Sequence, residues 1–310
     1  MSVGAGPSAA GVHQSYDVIP NRVRAWVDKQ LDAPVHTAMT QAGGMSPGCA
    51  ARLRTADGRG AFVKAVGSVL NPRTPELFRH EITVLSHLAP APYRPDVLAT
   101  YDDGDWVALL LADVDGRHPD LSDPVEADAV WTTVAAQSRE LTPPPAGLAV
   151  DTLADGIRVW AGGWTTMADD PAPLPPWAQS RVGEFIERLT TLPDRMPTES
   201  LCHWDVRDDN LLLRADGTVA IVDWGMARFG PAWADLFMLC LAWVDQPEFD
   251  LRVADVGADT VTVTDLLLAI GGWLALRSTQ PAPPGLPTLP EFQRRESRRI
   301  LTGAHRRLHP

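Results

Sequence analysis

The alternation of apolar and polar positions over Val35 to Gln41, Ala51 to Thr55 and Gly60 to Val66 predicts strands, the last two joined by the turn Ala56-Asp57-Gly58-Arg59. Asn21 to Leu31 predicts a short helix ahead of them. Thr74 as N-cap, with Pro75 at the first helical position, predicts a second helix to about Leu88. Val97 to Tyr101 and Trp106 to Leu111 then predict a hairpin around Asp102-Asp103-Gly104. After Asp113 the pattern becomes helical, over Val125 to Leu141, Asp151 to Met167, Trp177 to Leu192, Trp233 to Val244, Val261 to Leu276 and Glu291 to Arg307. Two proline-rich breaks, Pro143-Pro144-Pro145 and Pro171 to Pro176, punctuate it. Leu201 to Val222 differs again, with short apolar runs between polar clusters. The expected fold class is α+β. Residues 1–20 form an extension expected to be flexible, 21–113 a small β-rich part with one key helix, and 114–310 a larger, mostly helical part.

Composition narrows the function classes. Of 310 residues, 45% are hydrophobic and 21% charged, enough apolar material for a sizeable core. Net charge is −12, which argues against a nucleic-acid partner, since phosphates call for a basic face. It suits a cationic small molecule. The longest apolar stretch, Leu266 to Leu276, contains Gly271 and Gly272; it is too short to span a bilayer and predicts a buried helix, with no membrane partner. Cys49, Cys202 and Cys240 are scattered and unpaired, and Met1 to Asp17 has neither the basic nor the apolar region of a signal peptide. A cytoplasmic location is expected. Of 27 Lys and Arg residues only Lys29 and Lys64 are lysines, so a lysine inside an apolar strand stands out.

The densest polar cluster is Leu201-Cys-His-Trp-Asp-Val-Arg-Asp-Asp-Asn210, followed by Leu211-Leu212-Leu213. The turn Arg214-Ala215-Asp216-Gly217 then leads to Ala220-Ile221-Val222-Asp223-Trp224-Gly225. A hairpin here brings its outer ends, Asn210 and Asp223, together. One amide oxygen and one carboxylate converging in this way are the ligand types that Mg²⁺ prefers. Asp205 sits on the same loop. In the first part, alternation puts Lys64 on the face of Phe62 and Val66. On the following helix Leu77, Glu81, Val84 and Leu88 share a stripe, so Glu81 is a carboxylate in an apolar row. Two charges facing a core are costly unless paired.

His203-x-Asp205-x-x-x-x-Asn210 followed by Asp223-Trp224-Gly225 resembles the aminoglycoside phosphotransferase family, small-molecule kinases with a bilobal protein-kinase-like fold. The resemblance runs from about Gln41 to Val244. It implies that Lys64, paired with Glu81, holds the inner phosphates of ATP or GTP, that Asn210 and Asp223 bind Mg²⁺, and that Asp205 orients the acceptor hydroxyl and takes its proton. Arg207 stands where related enzymes carry Lys or His and is expected to touch the γ-phosphate. Gly43, Gly44 and Ser46 are expected to cover the phosphates, unless they form a plain hairpin turn. The Ala112 carbonyl and the Val114 amide are expected to read the adenine edge. His203 is expected to order the loop, and Asp235 to anchor a helix start. Trp204 replaces the glycine common at its position.

Seven residues separate Asp223 from Pro231, and no Ala-Pro-Glu follows, which leaves no room for a segment that holds a peptide. The acceptor is therefore expected to be a small molecule. A cationic aminoglycoside-like antibiotic, a metabolite alcohol or sugar, and a nucleotide-binding regulator without turnover all stay open. Trp160, Trp164 and Trp177 read equally as helix core or as a pocket wall. The arginines of the last helix, Arg294 to Arg307, read as a solvated face.

Overall fold

The computed structural model describes residues 11–41 and 44–309. Helix α1 (Asn21–Gln30) precedes a five-stranded antiparallel sheet of β1 (Val35–Thr40), β2 (Cys49–Thr55), β3 (Gly60–Gly67), β4 (Val97–Asp102) and β5 (Trp106–Ala112), with spatial order β1-β2-β3-β5-β4. Helix α2 (Thr74–Ser86) links β3 to β4. The period of two in β3 divides its side chains between two cores. Ala61, Val63 and Ala65 pack with Val23 and Val27 of α1, whereas Phe62 and Val66 pack with Phe78, Val84 and Leu85 of α2. Lys64 falls on the second face.

Two details of α2 differ from the sequence reading. Thr74 lies inside the helix, and the capping acceptor is Asn71, whose Oδ1 accepts from the Arg73 and Thr74 amides at 2.9 and 3.1 Å. An Asx-type side chain three residues upstream competes well for these amides. Leu77 is exposed, and the buried stripe runs through Phe78, Glu81, Val84 and Leu85.

Beyond Ala112 lie α3 (Pro124–Glu140), α4 (Leu153–Thr166), α5 (Pro176–Gln179), α6 (Val182–Leu189), α7 (Ala234–Cys240), α8 (Glu248–Ala254), α9 (Thr260–Arg277) and α10 (Leu289–Leu308). Two small ribbons sit among them: β6 (Ser200–Cys202) pairs with β9 (Arg228–Gly230), and β7 (Leu211–Leu213) pairs with β8 (Val219–Ile221). The helix expected from Trp177 to Leu192 is two, broken at Ser180 and Arg181. The run after Trp233 leaves the α-helix at Cys240 and continues as a 3-10 turn, Leu241–Trp243.

Helix α9 is long and apolar enough to cross a membrane, yet 61% of it is buried within the protein. It lies between α4 and α10, and its glycines permit the approach. A Cβ on Gly272 would fall 2.2 Å from the Trp164 indole nitrogen, and one on Gly271 would fall 2.7 Å from Leu301. The arginines of α10 are not a simple solvated face. Arg299 reaches Asp245 and the Ala242 carbonyl, while Arg306 and Arg307 both pair with Asp250. They tie the terminal helix to the segments around α7 and α8.

Cys49, Cys202 and Cys240 are all buried and free, and burial pushes the Cys49 and Cys240 thiols up to about 12. A buried thiol held neutral is a poor nucleophile. The folded protein is thus expected to leave a chromogenic disulfide reagent unreacted for minutes, and to release three equivalents of chromophore once unfolded in guanidinium. Fast reaction of the folded protein would show that one thiol is far more accessible than this.

Candidate active site

The polar cluster forms where the sheet, α2 and the two ribbons meet. Lys64 Nζ lies 2.5 Å from Glu81 Oε2 and 2.8 Å from Asp223 Oδ1, and the Phe78 ring sits 4.9 Å beneath it. Glu81 also accepts the Trp224 amide at 3.3 Å, so one carboxylate joins β3 to the turn that follows β8. Burial opposes the charge on Lys64, but the Asp223 and Glu81 carboxylates outweigh it and hold the ammonium more firmly protonated than usual. Burial likewise works to raise Asp223, and the Lys64 ammonium overcomes it, leaving this carboxyl below its usual range. Glu81, almost fully enclosed, is pushed up by burial despite Lys64.

Asp223 closes the β7–β8 hairpin with φ 67° and ψ 70°. This left-handed conformation costs a residue with a Cβ about 1–2 kcal/mol. It is held by the Val222 amide on the Asn210 carbonyl at 3.0 Å and by Lys64 on the carboxylate. Across the hairpin, Asn210 Nδ2 donates to both the backbone oxygen and Oδ2 of Asp205, each at 2.9 Å. Burial raises the Asp205 carboxyl above its usual range, against the pull of Arg207 and His203.

The loop itself is held from below. His203 Nε2 donates to the Val222 carbonyl at 3.0 Å, which leaves Nδ1 to accept the Asp205 amide at 3.3 Å. Asp235, buried at the start of α7, accepts the His203 and Trp204 amides at 2.9 and 2.8 Å. These bonds support Trp204 at φ 60°, a second left-handed residue immediately before Asp205. Clustered backbone strain of this kind persists only where the surroundings over-determine it.

Arg207 spans the mouth. Its Nε is 3.1 Å from Asp205 Oδ1, its Nη2 donates to Asp209 at 2.9 Å, and its Nη1 reaches the Met45 sulfur at 3.8 Å. Met45 belongs to the β1–β2 loop, so this loop descends to the catalytic side. Gly44 has φ 99° and open space where a side chain would be; Ser46 is half-buried; Gly43 lies outside the described residues. At the base of this loop Gly48 is constrained, at φ 131°, where a Cβ would lie 2.6 Å from the Ala65 carbonyl. The inter-strand approach there fixes the loop's base. Residues 11–14 line the loop, with the Gly11 amide on the Gly44 carbonyl and the Val12 amide on the Gly285 carbonyl.

At the linker, the Ala112 amide is held by the Asp96 carbonyl at 2.8 Å and the Val114 carbonyl accepts from Arg52. Arg52 and Arg54 both pair with the buried Asp113. Of the three tryptophans singled out in sequence, Trp164 is core, its indole donating to the Leu268 carbonyl, and Trp177 packs on Phe185 and His305. Trp160 alone reaches the site, stacked on Trp204 at 5.8 Å and 14°. Asp209 belongs to the polar cluster seen in sequence, whereas Met45 and Phe292, which lies 5.8 Å from the Arg207 guanidinium, carry no sequence signal; only the fold brings them there.

No divalent-cation cage of three or more His, Cys, Asp or Glu side chains occurs among the described residues. Asn210 spends its amide nitrogen on Asp205, and Asp223 spends one oxygen on Lys64. Asn210 keeps its single amide oxygen and Asp223 its other carboxylate oxygen, and no described donor is bonded to either. Two such hard oxygens fit Mg²⁺, which usually takes one or two protein ligands and completes its shell with water and phosphate.

Comparison with solved structures finds the same fold in several of them. A thermostable mutant of aminoglycoside phosphotransferase APH(4)-Ia, in ternary complex with ADP and hygromycin B, superposes with a TM-score of 0.60 at 16% identity, over 91% of this chain and 99% of its own. Choline kinase LicA from Streptococcus pneumoniae gives 0.58 at 14%, over 92% and 100%. APH(3'')-Id from Streptomyces rimosus, with ADP and streptomycin, gives 0.51 at 17%, over 84% and 98%. These likenesses show a shared bilobal α+β fold. A search of curated proteins by sequence finds no match. The phosphotransferase enzyme family (APH) matches residues 51–267, a span that runs from β2 to α9 and takes in Lys64, Glu81, Asp205, Asn210 and Asp223. With more than half of its length matched, this chain belongs to that family and is a phosphotransferase.

Proposed function

We propose that the protein transfers the γ-phosphate of a nucleoside triphosphate, ATP or GTP, to a hydroxyl group of a small molecule. The observation that carries this is the Lys64–Asp223 contact at 2.8 Å, which joins groups 159 residues apart and brings the Lys64–Glu81 pair to the Asp205–Asn210 pair. Residues 21–113 supply the nucleotide side, with Lys64 on the inner phosphates and the Gly44–Ser46 loop over them. Residues 114–310 supply the catalytic and acceptor side. The linker at Ala112 and Val114 receives the base through backbone atoms, and the Arg52 anchor on Val114 fixes its height.

Phosphoryl transfer has a loose transition state and asks the protein mainly to align groups and offset charge. Asp205 receives the acceptor hydroxyl in line with the γ-phosphate and accepts its proton, and Asn210 fixes the carboxylate that does so. Arg207 faces the charge that spreads over the transferring oxygens. Asn210 and Asp223 would hold Mg²⁺, which when bound supplies charge neutralisation at the phosphate oxygens. The buried free thiols suit a reducing cytoplasm.

The test is a mass-spectrometric search for phosphorylated products after incubation with Mg-ATP or Mg-GTP and a pooled library of antibiotics and small alcohols, with Lys64→Ala alongside. A product from the wild type, with a nucleotide KM at least tenfold higher in the variant, is the expected result. Absence of nucleotide binding by the wild type would overturn the proposal. The small molecules bound in two of the solved complexes, hygromycin B and streptomycin, set one arm of that library.

A further inference from the structure

The β2–β3 register carries the Lys64 face of the sheet to the linker. Ala50 lies opposite Lys64 and Arg52 opposite Phe62, so Arg52 stands on the face of the lysine, two residues further along. At about 3.3 Å per residue that step is roughly 7 Å. It runs toward the linker, because the neighbouring Ala61 pairs with Ala112 at the end of β5. Lys64 and Arg52 thus mark the phosphate end and the linker end of one surface. Arg52 is 19% exposed and fully engaged. Its Nη2 donates to the Val114 carbonyl, its Nε lies 3.2 Å from Asp113 Oδ1, and its Nη1 lies 3.5 Å from Asp115 Oδ1. Asp113, only 5% exposed, is held at its other oxygen by Arg54 at 2.8 Å. A Cβ on Gly60, opposite Arg54, would fall 1.5 Å from that guanidinium, so the second arginine has its place through a glycine. The Val114 amide meets no described acceptor. Val114 therefore has an open donor and an engaged carbonyl.

We infer that Arg52 sorts the donor base, so that the phosphate donor is an adenine nucleotide and guanine nucleotides are excluded. The inference rests on the phosphotransferase reading, with the linker as the place of the base. Both purines present a Watson–Crick edge to such a backbone. Adenine puts an N1 acceptor there beside a 6-amino donor, and so takes one amide and one carbonyl. Guanine puts an O6 acceptor beside two donors, N1–H and the 2-amino group. In the position of adenine, its N1–H would face the Val114 N–H, donor against donor. Moved along until O6 meets this amide, its N1–H needs the Val114 carbonyl, to which Arg52 already donates. The guanidinium also sets a positive charge beside the donor edge of guanine. Arginine can grip guanine through O6 and N7, but each nitrogen of Arg52 already faces an oxygen. Turning away would take from the buried Asp113 one of its two cations, a costly loss for an enclosed charge.

The experiment is calorimetry on the full chain with Mg²⁺ and the riboside diphosphates of adenine, guanine, hypoxanthine and unsubstituted purine. Hypoxanthine keeps the O6 and N1–H of guanine without its 2-amino group. Purine keeps the N1 acceptor of adenine without its 6-amino group. ADP is expected to bind at least tenfold more tightly than the guanine and hypoxanthine nucleotides, about 1.4 kcal/mol, the size of one hydrogen-bonding group left unmatched. The purine nucleotide is expected to bind more tightly than the hypoxanthine one. A guanine nucleotide within tenfold of ADP would overturn the inference. So would a hypoxanthine nucleotide within tenfold, since bulk at the 2-amino position, and not the N1 proton, would then do the sorting. Arg52→Met is expected to cut the adenine-to-guanine affinity ratio at least fivefold, and the ratio cancels any loss common to both. An unchanged ratio would overturn the role of Arg52, and the four wild-type affinities stand by themselves should the variant fold poorly. No binding of any of the four would overturn the phosphotransferase reading and this inference with it, whereas equal binding of ADP and GDP overturns the inference alone.

Discussion

Asparagine in place of Asp205 is expected to lower kcat by about 10²–10⁴-fold, the range typical of a lost general base, while nucleotide affinity stays within about threefold. The substitution is nearly isosteric, and its amide oxygen can still accept from Asn210 Nδ2, so the loop keeps its shape. What disappears is the ability to take the acceptor proton, together with the negative charge that positions Arg207 at 3.1 Å. In the proposed function the nucleotide contacts belong to Lys64 and the linker, which Asp205 does not touch, so AMP-PNP binding should be preserved. Initial rates at saturating nucleotide and calorimetry with AMP-PNP make the comparison. Retention of a tenth or more of wild-type kcat would rule Asp205 out as the base.

The largest effect on stability is expected from Asp235→Ala. This carboxylate is 1% exposed and accepts the His203 and Trp204 amides as well as Gln137 Nε2 at 3.3 Å. Its removal leaves two backbone N–H groups buried without partners. Each such group costs about 1–3 kcal/mol, so a loss of about 3–5 kcal/mol is expected, a large part of the roughly 5–15 kcal/mol that ordinarily separates folded from unfolded. Burial raises the Asp235 carboxyl, so its charge is itself costly in place. Asp235→Asn, which keeps one acceptor oxygen, should therefore recover part of the loss. Urea unfolding of the three proteins tests this. A change below about 1 kcal/mol in the alanine variant would mean that other acceptors replace the carboxylate.

What could be read from the sequence follows from the range over which each signal acts. Alternation along β3 and the stripe on α2 are local, and they were enough to put Lys64 and Glu81 on facing surfaces. The β7–β8 hairpin is local as well, and it brings Asn210 to Asp223. The three-residue strands β6 and β9 and the seven-residue α8 are too short for any period to show. The capping role of Asn71 was hidden because Thr74 and Pro75 made a better local signature than the residue that wins the amides. The contact of Arg207 with Met45 and Phe292 joins three distant stretches of chain, and no pattern within one stretch announces it. The same limit applies to the tryptophans. Trp160 and Trp164 stand one turn apart on α4, and only the placement of the catalytic loop decides that the first meets Trp204 while the second is sealed beneath α9.

The brevity of the stretch from Trp224 to Pro231 bears on how output is controlled. It passes directly from the Asp223 turn into β9, and its residues, Trp-Gly-Met-Ala-Arg-Phe-Gly-Pro, include no serine, threonine or tyrosine. Enzymes of related shape that are toggled by covalent phosphate carry an acceptor residue in a longer stretch at this place, which is disordered until modified. This chain offers no such handle, and the Glu81–Trp224 and Lys64–Asp223 bonds already lock the turn. Toggling by a phosphate on this stretch is closed to it, and any control of its output has to act elsewhere.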